Sequence, residues 1–363
     1  MMLKVTTVRK LLTVLVWLPA IQVAWACAIC APSVAEQTLT QRLYKSEAVV
    51  MAKARQRTGD FAVMAVIRGV EQAGQLAGVT AGDDTPLPAP GTAVVLARNT
   101  GTWRVMAALP PERAAWVETV IAMRLAPDAP AAQADWNARF AFFAPDLENP
   151  LAAVAQVAYD ELSIAPYGAM RAAAPHFTGK PLVRWLDQPA LSNRHPLYAL
   201  MAGFVATPAQ VASFERRLLA RSATEPLGVV SALMAAVLEQ RGDAGVSWLE
   251  RHYLQPADRT DGEVQAALLA LRVHATDGQR IDKDAATRAL RRFVQAQPMR
   301  AGYAASDLGD WGRWDFVPAF EQALDTDRPQ VFASRYAAVL YLLRNPTPEA
   351  KAALERLRAK GRL

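Results

Sequence analysis

Residues 102–134 read TWRVMAALPPERAAWVETVIAMRLAPDAPAAQA, and inside this stretch the apolar pattern changes its period. The first eight residues, 102–109, have the length and the Val and Trp content of a strand. Pro110 and Pro111 end it. Beyond them Trp116, Val117, Val120, Ile121 and Met123 recur at helical spacing, and Pro111 suits a first helical turn, where its missing N–H costs nothing. Residues 126–134, APDAPAAQA, then read as a Pro/Ala linker of the kind that separates domains. The stretch therefore predicts an α+β multidomain chain: a β-rich domain with one helix over 27–130, and an α-helical domain over 135–363.

Upstream, residues 47–54 (EAVVMAKA), 61–67 (FAVMAVI) and 92–97 (TAVVLA) join 102–109 as four short strands separated by Gly, Asp, Asn and Pro. The segment 72–91 carries AGDDTPLPAPG and reads as a long loop, with room for a fifth strand around 77–80. Downstream, helices come in pairs. First members are expected to begin near Pro196, Pro226, Glu263, Arg300 and Phe332, and their partners near Pro208, Ala244, Lys283, Phe316 and Thr347. In each series the starts recur at roughly 30 to 40 residues, the period of two-helix repeats. Segments 151–164, 167–174 and 181–187 are expected to cap the stack.

Composition sets outer bounds. With 52% hydrophobic and 20% charged residues, the chain has material for sizeable cores and too little net charge for disorder. At the N-terminus, Lys4, Arg9 and Lys10 precede an apolar run over 11–23 and the small-residue site Ala24-Trp25-Ala26, the pattern of a secretory signal peptide cut before Cys27. That run is shorter than the roughly 20 apolar residues a membrane helix needs, and Pro19 and Gln22 interrupt it. A periplasmic or secreted location is expected, with membrane contact only through N-terminal anchoring. Losing the leader's three cations lowers the formal charge from +6 to about +3, too little to argue for nucleic acid.

Two resemblances follow from these segments. The order of a mature cysteine, Ala31-Pro32, a short helix ending at Tyr44-Lys45-Ser46-Glu47-Ala48-Val49-Val50 and the strand FAVMAVIRGV resembles the netrin-like module of tissue inhibitors of metalloproteinases, over residues 27 to about 125. Val63, Val66, Arg68 and Gly69 carry the second element. The resemblance implies a five-stranded OB-like barrel. The chain departs from it in two ways: Cys27-Ala28-Ile29-Cys30 replaces the family's Cys-x-Cys start, and no later cysteines exist to receive disulfides. From about 170 to 363 the helix pairs resemble HEAT-type repeat proteins, which implies an α-solenoid with an extended binding surface.

Chemistry is sparse. Cys27 and Cys30 are the only cysteines, and outside the cytoplasm such a pair is expected to form a disulfide. It would close so short a loop that it adds little stability. A CxxC pair can also hold metal or act in redox chemistry, so a metalloprotease inhibitor or a metal- or redox-handling protein acting through Cys27 and Cys30 stands as the alternative reading. The histidines His176, His195, His252 and His274 are scattered, without the i, i+4 spacing of a helical zinc site. No nucleophile elbow, P-loop or dinucleotide motif occurs. Asp160-Glu161 and the trio Asp307, Asp310 and Asp315 are the acid/base candidates, although adjacent carboxylates on a helix point apart. The densest aromatic cluster, around Trp311, Arg313 and Trp314, combines residue types enriched in binding hot spots, and its helical spacing also suits packing between repeats. The expectation is a non-enzymatic exported binding or scaffold protein without a cofactor, whose solenoid surface, Trp311, Arg313 and Trp314 included, meets a protein partner in the cell envelope.

Overall fold

The strand β1 (Ala48–Ala54) lies in the middle of the sheet and is buried almost throughout, which its sequence AVVMAKA anticipates. The computed structural model describes residues 37–69, 74–82, 85–126, 134–326 and 331–363. In it β1 pairs antiparallel with β2 (Phe61–Arg68) on one side and with β4 (Ala93–Asn99) on the other. A two-residue β3 (Gln75–Leu76) extends the sheet beyond β2, and β5 (Thr102–Ala107) beyond β4, giving the order β3-β2-β1-β4-β5. Register shifts at Val49/Val50 and Met51/Ala52 curl the sheet into a half-barrel.

Alternation along the strands produces two cores. Val50, Ala52, Val94 and Leu96 turn inward with Phe61 and Val79 to fill the curl. Val49, Met51, Val95 and Ala97 face the other way and join one large apolar core that continues through the helices. The fifth strand is displaced from its expected position. Pairing occurs at Gln75–Leu76, and the segment 77–80 instead crosses the mouth of the curl, where Thr80 forms a lone parallel bridge to Arg104. Thr80 N–H donates to the Trp103 carbonyl at 3.0 Å, and Val105 N–H to that of Thr80 at 3.1 Å. A single short segment, 75–80, thus pairs with β2 at one end and with β5 at the other, which no local pattern encodes.

Helix α1 (Leu39–Leu43) precedes the sheet and α2 (Ala114–Ala122) follows it. Among the described residues all strands lie before residue 108, and the regular structure from residue 134 onward is helical. Short helices come first: α3 (Trp136–Phe143), α4 (Ala152–Ser163), α5 (Tyr167–Ala172) and α6 (Leu182–Trp185). Longer ones follow as α7 (His195–Val205), α8 (Pro208–Arg221), α9 (Leu227–Arg241), α10 (Asp243–Leu249), α11 (Asp261–Asp277) and α12 (Lys283–Ala296). The last are α13 (Ala305–Asp310), α14 (Val317–Leu324), α15 (Phe332–Arg344) and α16 (Pro348–Ala359). A π-helical turn, Glu250–Leu254, extends α10, and a 3₁₀ segment, Pro298–Ala304, leads into α13.

Local chemistry explains where these helices start. Thr207 and Thr260 form capping boxes with Gln210 and Glu263, Asp282 and Thr347 cap α12 and α16, and Pro208 and Pro348 occupy first turns. Helix α9 packs between α7 and α11, and the 3₁₀ segment packs on α15. Two glycines permit the close approaches. A Cβ on Gly203 would sit 2.7 Å from that of Ala236, and one on Gly302 would sit 1.7 Å from the Ser334 carbonyl oxygen.

Most of the 126–134 linker lies outside the described residues, but the segments flanking it are joined. Thr40 of α1 donates its backbone N–H and its hydroxyl to Glu161 Oε1 of α4 at 2.7 and 2.8 Å, while Arg139 of α3 pairs with Oε2. All three residues are buried. Such a buried pair adds little net stability, yet removing one partner strands a charge, so it fixes how α1 sits on the helices.

Candidate binding face

Helix α15 carries apolar residues on two of its sides. One face, with Ala338, Tyr341 and Leu342, is buried. On the other, Phe332 is 81% exposed, Tyr336 57%, Leu340 37% and Leu343 55%, and their spacing places them along one side of the helix. The rings of Phe332 and Tyr336 stack at 6.3 Å with an interplanar angle of 13°. Ala333, next to Phe332, lines a cleft of about 380 Å³ shared with Leu227 of α9, Leu269 and Arg272 of α11, and Tyr303. Leu227 is itself 52% exposed. Polar groups at the cleft are held in place: Tyr303 donates to Asp261 Oδ2 at 3.1 Å, and Arg272 pairs with Asp307. The arrangement offers apolar area with a fixed polar rim, the composition of a surface that binds another chain.

The aromatic cluster has a different setting from the one its spacing suggests. Trp311 ends α13 and Trp314 lies in the turn before α14, because Gly312, at φ +68°, breaks the helix between them. Both indoles are half-buried and pack on the main core, with Trp314 5.4 Å from the Tyr341 ring. Tyr341 donates to the Arg313 carbonyl at 2.5 Å, and the Arg313 guanidinium pairs with Asp284 of α12. These contacts tie the α13–α14 turn to α12 and α15. Cys27 and Cys30, with the residues that precede them, lie outside the described residues.

The acidic candidates are dispersed among different partners. Asp160 accepts from Gln156 Nε2 at 2.8 Å, whereas Glu161 turns to Thr40 and Arg139. Asp307, Asp310 and Asp315 each meet a different arginine: Arg272, Arg344 and Arg291. Burial pushes the carboxyls of Asp160 and Asp307 up to about 6. Among the described residues, one buried polar cluster joins a histidine, a tyrosine and a carboxylate. His274 of α11, fully buried, shares Nε2 between the Ala235 carbonyl at 2.9 Å and the Tyr167 hydroxyl at 3.0 Å, and Tyr167 donates to Glu239 Oε2 at 3.0 Å. Arg171 pairs with Glu239 Oε1 at 3.0 Å. Burial lowers the His274 pKa to about 4, so the imidazole is neutral at pH 7. The cluster lines none of the clefts around Arg217, Leu227, Arg42 or Lys180, and it ties α5, α9 and α11 together. Among the described residues no group of His, Cys, Asp and Glu could hold a metal ion, and no helix is long and apolar enough to cross a membrane.

No protein-family model, curated protein or solved structure matches the chain. The exposed side of α15 is the feature that spacing of aromatic residues missed. Its signal was the run FASRYAAVLYLL itself, in which apolar residues occupy both sides of a helix that needs only one to pack.

Proposed function

We propose that the chain is an exported, non-enzymatic binding protein in which an OB-like β-domain precedes a HEAT-like α-solenoid, and that the solenoid holds a protein partner of the cell envelope against the exposed side of α15 and the adjoining cleft. The observation that carries this reading is the row Phe332, Tyr336, Leu340 and Leu343, left open to solvent on a helix whose other side is already packed. Apolar rows of this kind are costly to expose unless something covers them.

Two further features support the solenoid. The first helices of successive pairs, α7, α9 and α11, stack on one another, and the second helices flank them. Ion pairs clasp neighbouring pairs across sequence separations of 34 residues for Arg344–Asp310, 35 for Arg356–Glu321 and 42 for Arg292–Glu250, near the repeat period read from the helix starts. Solenoid surfaces suit extended partners because each repeat contacts only its neighbours.

The test is affinity capture from the native envelope with wild type and with Phe332→Asp/Tyr336→Ser as baits. A partner retained by wild type and lost by the variant at unchanged melting temperature supports the reading; equal capture by both overturns it. N-terminal sequencing of the exported protein should begin at Cys27, and an uncleaved leader would contradict export by this route.

A further inference from the structure

A second cavity, of about 180 Å³, lies on the β-rich part between the last turn of α1 and the β4–β5 hairpin. Its lining is polar and cationic: Arg42 comes from α1, Thr100 from the hairpin turn, Thr102 and Arg104 from β5, and Gly82 from the loop that crosses the mouth of the sheet. Among the described residues that line it there is no Asp or Glu.

Three observations distinguish it from an ordinary surface dimple. The first is Arg42, whose side chain lines the cavity while its Nε and Nη1 atoms are enclosed by protein without a hydrogen-bond partner, which leaves Nη2 as the nitrogen open to a ligand. Buried guanidinium nitrogens are normally satisfied, because leaving them unpaired forfeits hydration with no return. Asp160 is near enough to feel the charge, but its hydrogen bond goes to Gln156. The second is Gly82, where a Cβ would sit 2.1 Å from the Val105 carbonyl oxygen. Only glycine lets this loop lie flat on β5 and leave the space open. The third is Thr100. Asn99 and Thr102 pair across a two-residue turn, and Thr100 takes φ +48° there, a conformation that suits Asn or Gly and strains a β-branched residue. Strain retained at a cavity rim commonly marks a binding site.

The geometry points to a binding site for a small oxyanion, a carboxylate or phosphate group, held by the Arg42 guanidinium with the Thr102 hydroxyl at its rim. An oxyanion's oxygen accepts from Nη2, the guanidinium nitrogen that is not enclosed, in a charge-assisted hydrogen bond, and its charge offsets that of a guanidinium whose other two nitrogens are shut off from water. The cavity admits a group of that size and not a large ligand. This inference is independent of the α15 face, which lies on the helical part of the chain.

Thermal denaturation and calorimetry of the intact protein in inorganic phosphate, in acetate and in chloride at matched ionic strength test it. Saturable stabilisation by phosphate or acetate beyond chloride is expected, as a ligand that binds only the folded state must give, and the effective anion identifies the group. Arg42→Gln should weaken that binding at least tenfold. Thr102→Val, at an exposed position outside both cores, should weaken it severalfold with the fold intact. Absence of a saturable effect from both anions, or unchanged affinity in Thr102→Val and in a folded Arg42→Gln protein, would overturn the assignment.

Discussion

Burial lifts the Asp160 carboxyl to about 6, and the nearby Glu161 adds to the shift while Gln156, Arg42 and Arg194 oppose it. The folded state therefore takes up this proton more readily than the unfolded chain, whose aspartate titrates near 3.9. Its contribution to stability is fully present below that value and is lost as pH rises through about 6. Asp160→Asn, which keeps an oxygen to accept from Gln156, should accordingly raise stability at pH 7.5 by about 1–2 kcal/mol. The gain should vanish near pH 4. Urea denaturation of both proteins at the two pH values checks this, and a gain independent of pH would show that the carboxyl is not the cause. His274 runs the other way: its buried neutral imidazole loses stability as pH falls from about 6.5 towards 4. At this scale the sequence was informative in one respect, since neighbouring acids on a helix must diverge, and it could not name the partners of Glu161, Thr40 and Arg139, which lie far away along the chain.

Helices and strands were legible wherever local chemistry sets them. Cap residues and prolines place the starts of α7, α8, α9, α11, α12 and α16 within about two residues of the positions they imply. Valine-rich runs between turn residues locate β1, β2, β4 and β5. What the sequence misplaced depends on tertiary contact: β3 forms where β2 presents an edge, and Trp311 and Trp314 separate because Gly312 turns the chain. Gly203 belongs to the legible class, for a helical glycine has little reason to persist unless another element crosses it. Gly203→Val should cost about 1–3 kcal/mol, because its side chain would press on Ala236 of α9. The midpoint of chemical denaturation reads this directly, and an unchanged midpoint would mean that α7 and α9 can part without penalty.

Across the whole molecule, a single large core runs from one face of the curled sheet to α16, and the Thr40–Glu161–Arg139 contact fixes the first helix to the helical part. The change of period near Pro110 revealed the two kinds of structure, yet gave no hint that they share a core, because that depends on which face of the sheet each residue meets. Nor could it single out the helix side left uncovered. The uncovered side of α15 is the proposed seat of the partner, and site-specific photo-cross-linking in the native envelope reads that contact. A photoreactive residue at Tyr336 should give one discrete adduct that disappears with Phe332→Asp, while the same residue at Glu355, exposed on α16, should give none. Adducts of equal yield at both positions, or none at Tyr336, would contradict it.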